Sequence, residues 1–285
     1  EYCIKKFPKS FILFNILGGV YAGHDELEVA INHHKKSIEI NPDYAEGYNN
    51  LGIAFQKLGL FEEAVKNYKK TLKLKPDFSL TYNNLGVVLK SLNKLDEALL
   101  TSKKAIELDP KFADAHNNIG AILQDLGNYE EAYKFYKKAI KLKSSYSEAY
   151  YNLGILLKKL GKMEECVENF QKAATVNQKN NRAYSNYLFN LNYLTKYDDD
   201  QYIEEAKKFG ISLKKIDDQL CIPYKYNVNP EKLTIGFVSA DLRNHPVGYY
   251  LIDTLKYLKK KNIKLVAYHN SKESDDITET VSYTQ

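Results

Sequence analysis

Four consecutive stretches of 34 residues are copies of one pattern, and this period constrains the fold more than any other property of the chain. They are "AEGYNNLGIAFQKLGLFEEAVKNYKKTLKLKPDF" (45–78), "SLTYNNLGVVLKSLNKLDEALLTSKKAIELDPKF" (79–112), "ADAHNNIGAILQDLGNYEEAYKFYKKAIKLKSSY" (113–146) and "SEAYYNLGILLKKLGKMEECVENFQKAATVNQKN" (147–180). A unit this small cannot bury its apolar face alone and must stack on its neighbours. Glycine recurs at Gly52, Gly86, Gly120 and Gly154, where two helices must approach closely. Ala64, Ala98 and Ala132 recur further on, with Cys166 as the small substitute. Leu51, Phe55 and Tyr68 in one unit, and Leu153, Leu157 and Phe170 in another, fill the space between. Pro76 and Pro110 close two units, because proline cannot continue a helix interior. Each unit is expected to be a helix–turn–helix hairpin.

These units resemble the tetratricopeptide repeat. The register extends upstream through "FILFNILGGVYAGHDELEVAINHHKKSIEINPDY" (11–44), with Gly18, Ala30 and Pro42 at the matching offsets. "KKFPKSFILFNILGGVYAG" has the outline of a signal peptide, but the register makes its apolar run the first helix of a repeat. A sixth unit starts at Asn181 and then departs from the pattern, since Leu188 stands where the glycine belongs and no second helix in register is evident. It reads as a capping unit covered by a helix in "DDDQYIEEAKKFGISLKKI", with Asp199 or Asp200 near its N-cap.

Composition excludes more than it identifies. The 285 residues carry a net charge of +5 with Lys and Glu interleaved, which gives no nucleic-acid footprint. No apolar run is long and unbroken enough to span a bilayer. Cys3, Cys166 and Cys221 are odd in number and far apart, so neither a disulfide framework nor a metal site is expected, and reduced thiols in a cytoplasm are the simplest assignment. His24, His33, His34 and His116 show no ligand spacing and read as surface or packing residues.

One polar feature repeats. Asn50, Asn84, Asn118, Asn152 and Asn186 occupy the sixth position of successive units. In a superhelix they would form a ladder along one inner face. An asparagine amide both donates and accepts, so such a row can clamp the backbone of an extended polypeptide without reading its side chains. The same row can equally bond between helices, and these residues alone leave both open. The ladder fades upstream, where Ile16 takes the position and Asn15 precedes it. Asn49, Asn83 and Asn117 form a second row, read as local capping or surface.

The pattern changes near the end. "CIPYKYNVNPEK" (221–232) reads as a linker, "LTIGFVS" as a buried parallel strand, and "NIKLVAYHN" as a second strand. Between them Pro246 suits a first helical turn, and Val247, Tyr250, Leu251, Leu255 and Leu258 mark a helical face. Strand, helix, strand makes one βαβ unit. Asp241, Arg243, Asn244 and His245 lie just past the first strand, where open α/β sheets bind ligands, although Asn244 or His245 could also merely cap the helix.

Repeats joined to "LTIGFVSADLRNHPVGYYL" and "KLVAYHNSKESDDITE" resemble the protein O-linked N-acetylglucosamine transferases, from about residue 11 to the end. The resemblance implies a mainly α tetratricopeptide superhelix followed by a truncated α/β piece, the first βαβ of a two-lobed GT-B glycosyltransferase. It implies a lead-in over 1–10, a solenoid of five repeats and a partial sixth over 11–196, a capping helix and linker over 197–232, and the start of the catalytic domain over 233–285. It further implies transfer of GlcNAc from UDP-GlcNAc to protein Ser or Thr with inversion and without a metal. His245 matches the family's active-site histidine, Asp241 and Asn244 stand at the donor-site edge, and the asparagine row matches the ladder that holds acceptor polypeptides. A chain ending at Gln285 holds only the front of that enzyme and is expected to be inactive by itself. The alternatives are a non-catalytic interaction scaffold, or the same fold using another donor such as GDP-fucose.

Overall fold

The computed structural model describes residues 6–178, 180–194, 202–208 and 210, and the backbone of residues 233–239 and 263–269. The chain divides into two compact units, Glu1–Gln219 and Leu220–Gln285.

The first unit is a run of helical hairpins. Helices α1 (Phe11–Gly23) and α2 (Leu27–Ile40) form one, α3 (Ala45–Lys57) and α4 (Phe61–Leu74) the next. Then follow α5 (Ser79–Ser91) with α6 (Leu95–Leu108), α7 (Ala113–Asp125) with α8 (Tyr129–Leu142), and α9 (Ser147–Lys159) with α10 (Met163–Val176). Helix α11 (Asn181–Leu191) opens a sixth. The apolar run that resembles a signal peptide is α1, with Phe14 and Gly18 buried.

Local chemistry explains each hairpin. Second helices are amphipathic; α4 buries Ala64, Asn67, Tyr68 and Thr71 along one stripe. They open on acidic pairs, Glu62 and Glu63 in α4, Glu130 and Glu131 in α8, which suit the positive end of the helix dipole. Between the two helices the chain enters the left-handed region at Asp25, Gly59, Asn93, Gly127 and Gly161. Glycine enters it at no steric cost, and Asn and Asp tolerate it best among the rest. There the Leu60 N–H donates to the Phe55 carbonyl and closes the first helix.

The recurrent helix glycine is a contact point. A Cβ on Gly52 would lie 2.6 Å from the Tyr68 ring, one on Gly120 2.8 Å from Tyr136, and one on Gly154 2.9 Å from Phe170. Gly18 stands in the same way over His34. In the third hairpin Ser102 takes the ring's place, and a Cβ on Gly86 would collide with its hydroxyl, so α5 and α6 have closed up around the smaller side chain. Ala64, Ala98, Ala132 and Cys166 are fully buried beside these contacts.

First helices of successive hairpins touch one another: α1 with α3, α3 with α5, α5 with α7, α7 with α9. The second helices show no comparable contact among the described residues. The first helices therefore line the inside of the curve.

The sixth hairpin departs from expectation. Residues 202–208 are helical, within the stretch expected to hold a covering helix, and they lie one repeat period beyond α10, so that helix takes the place of a second helix in register, which was not expected. Tyr202 and Ala206 pack against the core that holds Tyr187 and Leu188. Leu188 fills the glycine position, and one period on from Phe170 the sequence carries Glu204 in place of a ring. Asp199 and Asp200, expected near the N-cap, lie outside the described residues.

In the second unit, β1 (Leu233–Ser239) and β2 (Ile263–His269) pair in parallel, from Leu233↔Ile263 to Ser239↔His269. Parallel strands require a crossover connection, which the 23 intervening residues supply in length. Such a pair is shared by every parallel α/β fold and does not by itself make a GT-B lobe. The expected crossover helix, and Asp241, Asn244 and His245, lie outside the described residues.

Candidate functional site

The asparagine row runs along the first helices, on the inside of the curve. Its members are half-buried, and most of them bond backwards to the preceding repeat. Asn50 Nδ2 donates to Asn15 Oδ1 at 3.1 Å, Asn118 Nδ2 to Asn83 Oδ1 at 2.8 Å, and Asn152 Nδ2 to Asn117 Oδ1 at 3.1 Å. Asn186 Nδ2 reaches the Tyr151 hydroxyl at 3.4 Å and the Arg182 carbonyl at 2.9 Å. In these four units the sixth position is thus tied to the fifth position of the unit before.

This corrects the reading of the second row. Asn49, Asn83 and Asn117 are buried, not surface residues, and Asn83 and Asn117 receive the bonds of the first row. A buried amide oxygen needs a donor, and the next repeat supplies it. The sequence signal was present in the Asn-Asn pairs: partners one period plus one residue apart are adjacent only across a repeat boundary.

The row still offers chemistry to a ligand. Among the described residues, Asn118 and Asn152 each spend one N–H on the preceding unit and no donor reaches their Oδ1. An amide with a free oxygen and a free N–H can accept from and donate to a backbone amide. One turn along, Ile53, Val87, Ala121 and Ile155 are half-buried and supply apolar surface beside the amides. At the far end an open cleft of about 340 Å³ is lined by Glu148, Tyr151, Asn152, Asn180 and Arg182. Arg182 stacks 5.3 Å above the Tyr151 ring there.

The near end is held by a partly buried network around His34. His34 Nδ1 lies 3.0 Å from Asn15 Oδ1, which also accepts from Asn50. Because that partner is an acceptor, neutral His34 carries its proton on Nδ1. Burial, reinforced by neighbouring His33, pushes His34 down to about 4. Glu46 Oε1 pairs with Lys75 Nζ at 2.9 Å, and that bond holds the carboxyl below its ordinary value. His116 packs on Phe135 and bonds the Pro110 carbonyl at 3.0 Å. Among the described residues no three His, Cys, Asp or Glu side chains converge as a metal site would require. No described helix is long and apolar enough to cross a membrane.

Comparison with known proteins agrees with this geometry. The tetratricopeptide-repeat model matches residues 45–78, 113–146 and 147–180, and a second TPR-repeat model matches 18–59 and 88–127. The chain is a tetratricopeptide-repeat protein. Its array superposes on MamA with a TM-score of 0.50 at 25% identity, covering 58% of this chain and 96% of that one. It superposes on Pseudomonas aeruginosa pilF with a TM-score of 0.60 at 20% identity, covering 72% and 91%. Against the hetero-tetramer Cut9–Hcn1 the TM-score is 0.64 at 15% identity, over 73% of this chain and 41% of that one. The last two likenesses carry the fold alone. No curated protein matches the chain.

Proposed function

We propose that the repeat array is a polypeptide-binding scaffold whose inner asparagine row, Asn50, Asn84, Asn118, Asn152 and Asn186, holds the main chain of an extended partner. The observation that supports it most is the alternation of half-buried amides and apolar residues along the inside of the curve. Tetratricopeptide arrays are protein-interaction modules, and neighbouring helices 8–10 Å apart place one amide about every three residues of an extended chain. The bonds to preceding repeats hold the amides in place in advance, which lowers the ordering cost of binding.

For the longer protein we propose a UDP-GlcNAc-dependent protein O-glycosyltransferase of GT-B type, to which the array presents the acceptor. The parallel pairing of β1 with β2 favours this reading over a scaffold alone, together with the resemblance of "SADLRNHP" after β1. Asp241, Asn244 and His245 follow β1 in the sequence, and open α/β sheets bind ligands beyond the carboxyl ends of their strands. His245 is the candidate active-site residue, and UDP-sugar is a co-substrate.

The test uses the protein read on through the coding sequence past Gln285. Incubated with UDP-GlcNAc and an unfolded Ser/Thr-containing polypeptide, it should modify hydroxyls, and His245→Ala should abolish transfer while binding persists. Binding without transfer by the wild type returns the protein to the scaffold reading; transfer only from GDP-fucose reassigns the donor.

A further inference from the structure

One rung of the asparagine row differs from the others, and there a hydroxyl occupies the acceptor that the lock would use. By the rule that ties each sixth position to the preceding fifth, Asn84 should donate to Asn49 Oδ1. It does not. Thr81 Oγ1 donates to Asn49 Oδ1 at 2.8 Å in a buried bond, while Asn49 Nδ2 turns to Asn50 Oδ1 at 3.4 Å. The Thr81 position carries Leu13, Gly47, Ala115, Ala149 and Ala183 in the other units, none with a side-chain donor. Only here can a hydroxyl intercept the lock.

The consequence is local and asymmetric. Asn50 is engaged at both amide atoms, and Asn118 and Asn152 have each spent an N–H. Asn84 is half-buried on the same inner stripe, yet its side chain has no hydrogen bond among the described residues. Its surroundings are apolar: exposed Leu80 stands where the flanking units carry Glu46 and Asp114, and half-buried Val87 lies one turn along.

We infer that Thr81 is a positioning residue that frees Asn84 to be the primary clamp for a backbone amide of the bound polypeptide. The inference rests on the polypeptide-binding reading and adds to it a place: the extended chain is gripped first at the third repeat. Asn84 offers two N–H donors and an unshared oxygen, so it can both donate to and accept from one peptide unit. Thr81 acts through Asn49 and touches no ligand. Removing its hydroxyl lets Asn84 fall back onto Asn49, which locks this rung like its neighbours.

Side-chain amide exchange reads the lock without any ligand. In the wild type the Asn84 Nδ2 protons should exchange with water at least tenfold faster than those of Asn118 and Asn152; in Thr81→Val they should slow into the same class, and Thr81→Ser should restore fast exchange. Binding of fluorescein-labelled, reduced and carboxymethylated lysozyme, an unfolded chain, reads the clamp. Asn84→Ala and Thr81→Val should each weaken it about tenfold, and Thr81→Ser should bind as wild type. Equal protection of Asn84 and Asn118 in the wild type, or Thr81→Val binding as wild type does, overturns the assignment of Thr81 and leaves the scaffold reading intact. Failure of the wild type itself to bind the unfolded chain overturns that reading instead.

Discussion

Asn118 Nδ2 donates to Asn83 Oδ1 at 2.8 Å across the boundary between the third and fourth repeats. The donor belongs to the row that faces the groove, and the acceptor is buried. One bond therefore serves both the stiffness of the array and the orientation of its inner face. The Asn152–Asn117 bond repeats the arrangement one unit on.

Asn83→Ala should cost about 1–2 kcal/mol of unfolding free energy, since it removes a buried bond and opens a small void. Asn84→Ala, one residue away, removes no bond and gains a better helix former; it should change stability by no more than about 0.5 kcal/mol. Urea unfolding of the two variants checks the contrast.

The glycines sort in the same way. Gly120→Ala drives a methyl into the Tyr136 ring, 2.8 Å from the new Cβ, and should destabilise by about 1–3 kcal/mol. Gly19→Ala meets nothing within 4 Å on α1 and should stabilise by about 0.5–1 kcal/mol. Thermal midpoints should move in opposite directions.

His34 links stability to pH. Its folded value of about 4 lies below the ordinary 6.5, so the unfolded chain binds the proton more readily. The stability of the first hairpin is full above pH 6.5 and declines as pH falls toward 4, by up to about 3 kcal/mol. His34→Phe, which copies Phe170 at the equivalent position, should lose this part of the pH dependence. Hydrogen exchange across α1 and α2 at pH 7 and pH 5 measures it in both proteins.

Much of the array was legible in the sequence because its determinants are local and repeated. Gly52 against Tyr68 follows from a fixed offset, and the left-handed turn at Gly59 follows from its residue type. The asparagine row was legible as a row that could bond between helices, but its partners were not, because Asn118 meets Asn83 only once two hairpins have packed. The interception by Thr81 was less visible still: it depends on one hydroxyl in one unit, which a pattern common to all units averages away. The helix at 202–208 was legible as a covering helix but not as the second helix of a hairpin in register, because Leu188 broke the glycine signature, while Tyr202 and Ala206 kept the packing.

The most direct measurement of polypeptide binding follows the asparagine side-chain amide NMR signals as reduced, carboxymethylated lysozyme is added to the chain. The account predicts that Asn84, Asn118 and Asn152 shift together and saturate with a single Kd, while Asn67 and Asn169, bonded to Glu63 and Glu165 within the second helices, stay still. Shifts at Asn67 and Asn169 with a silent inner row would contradict it.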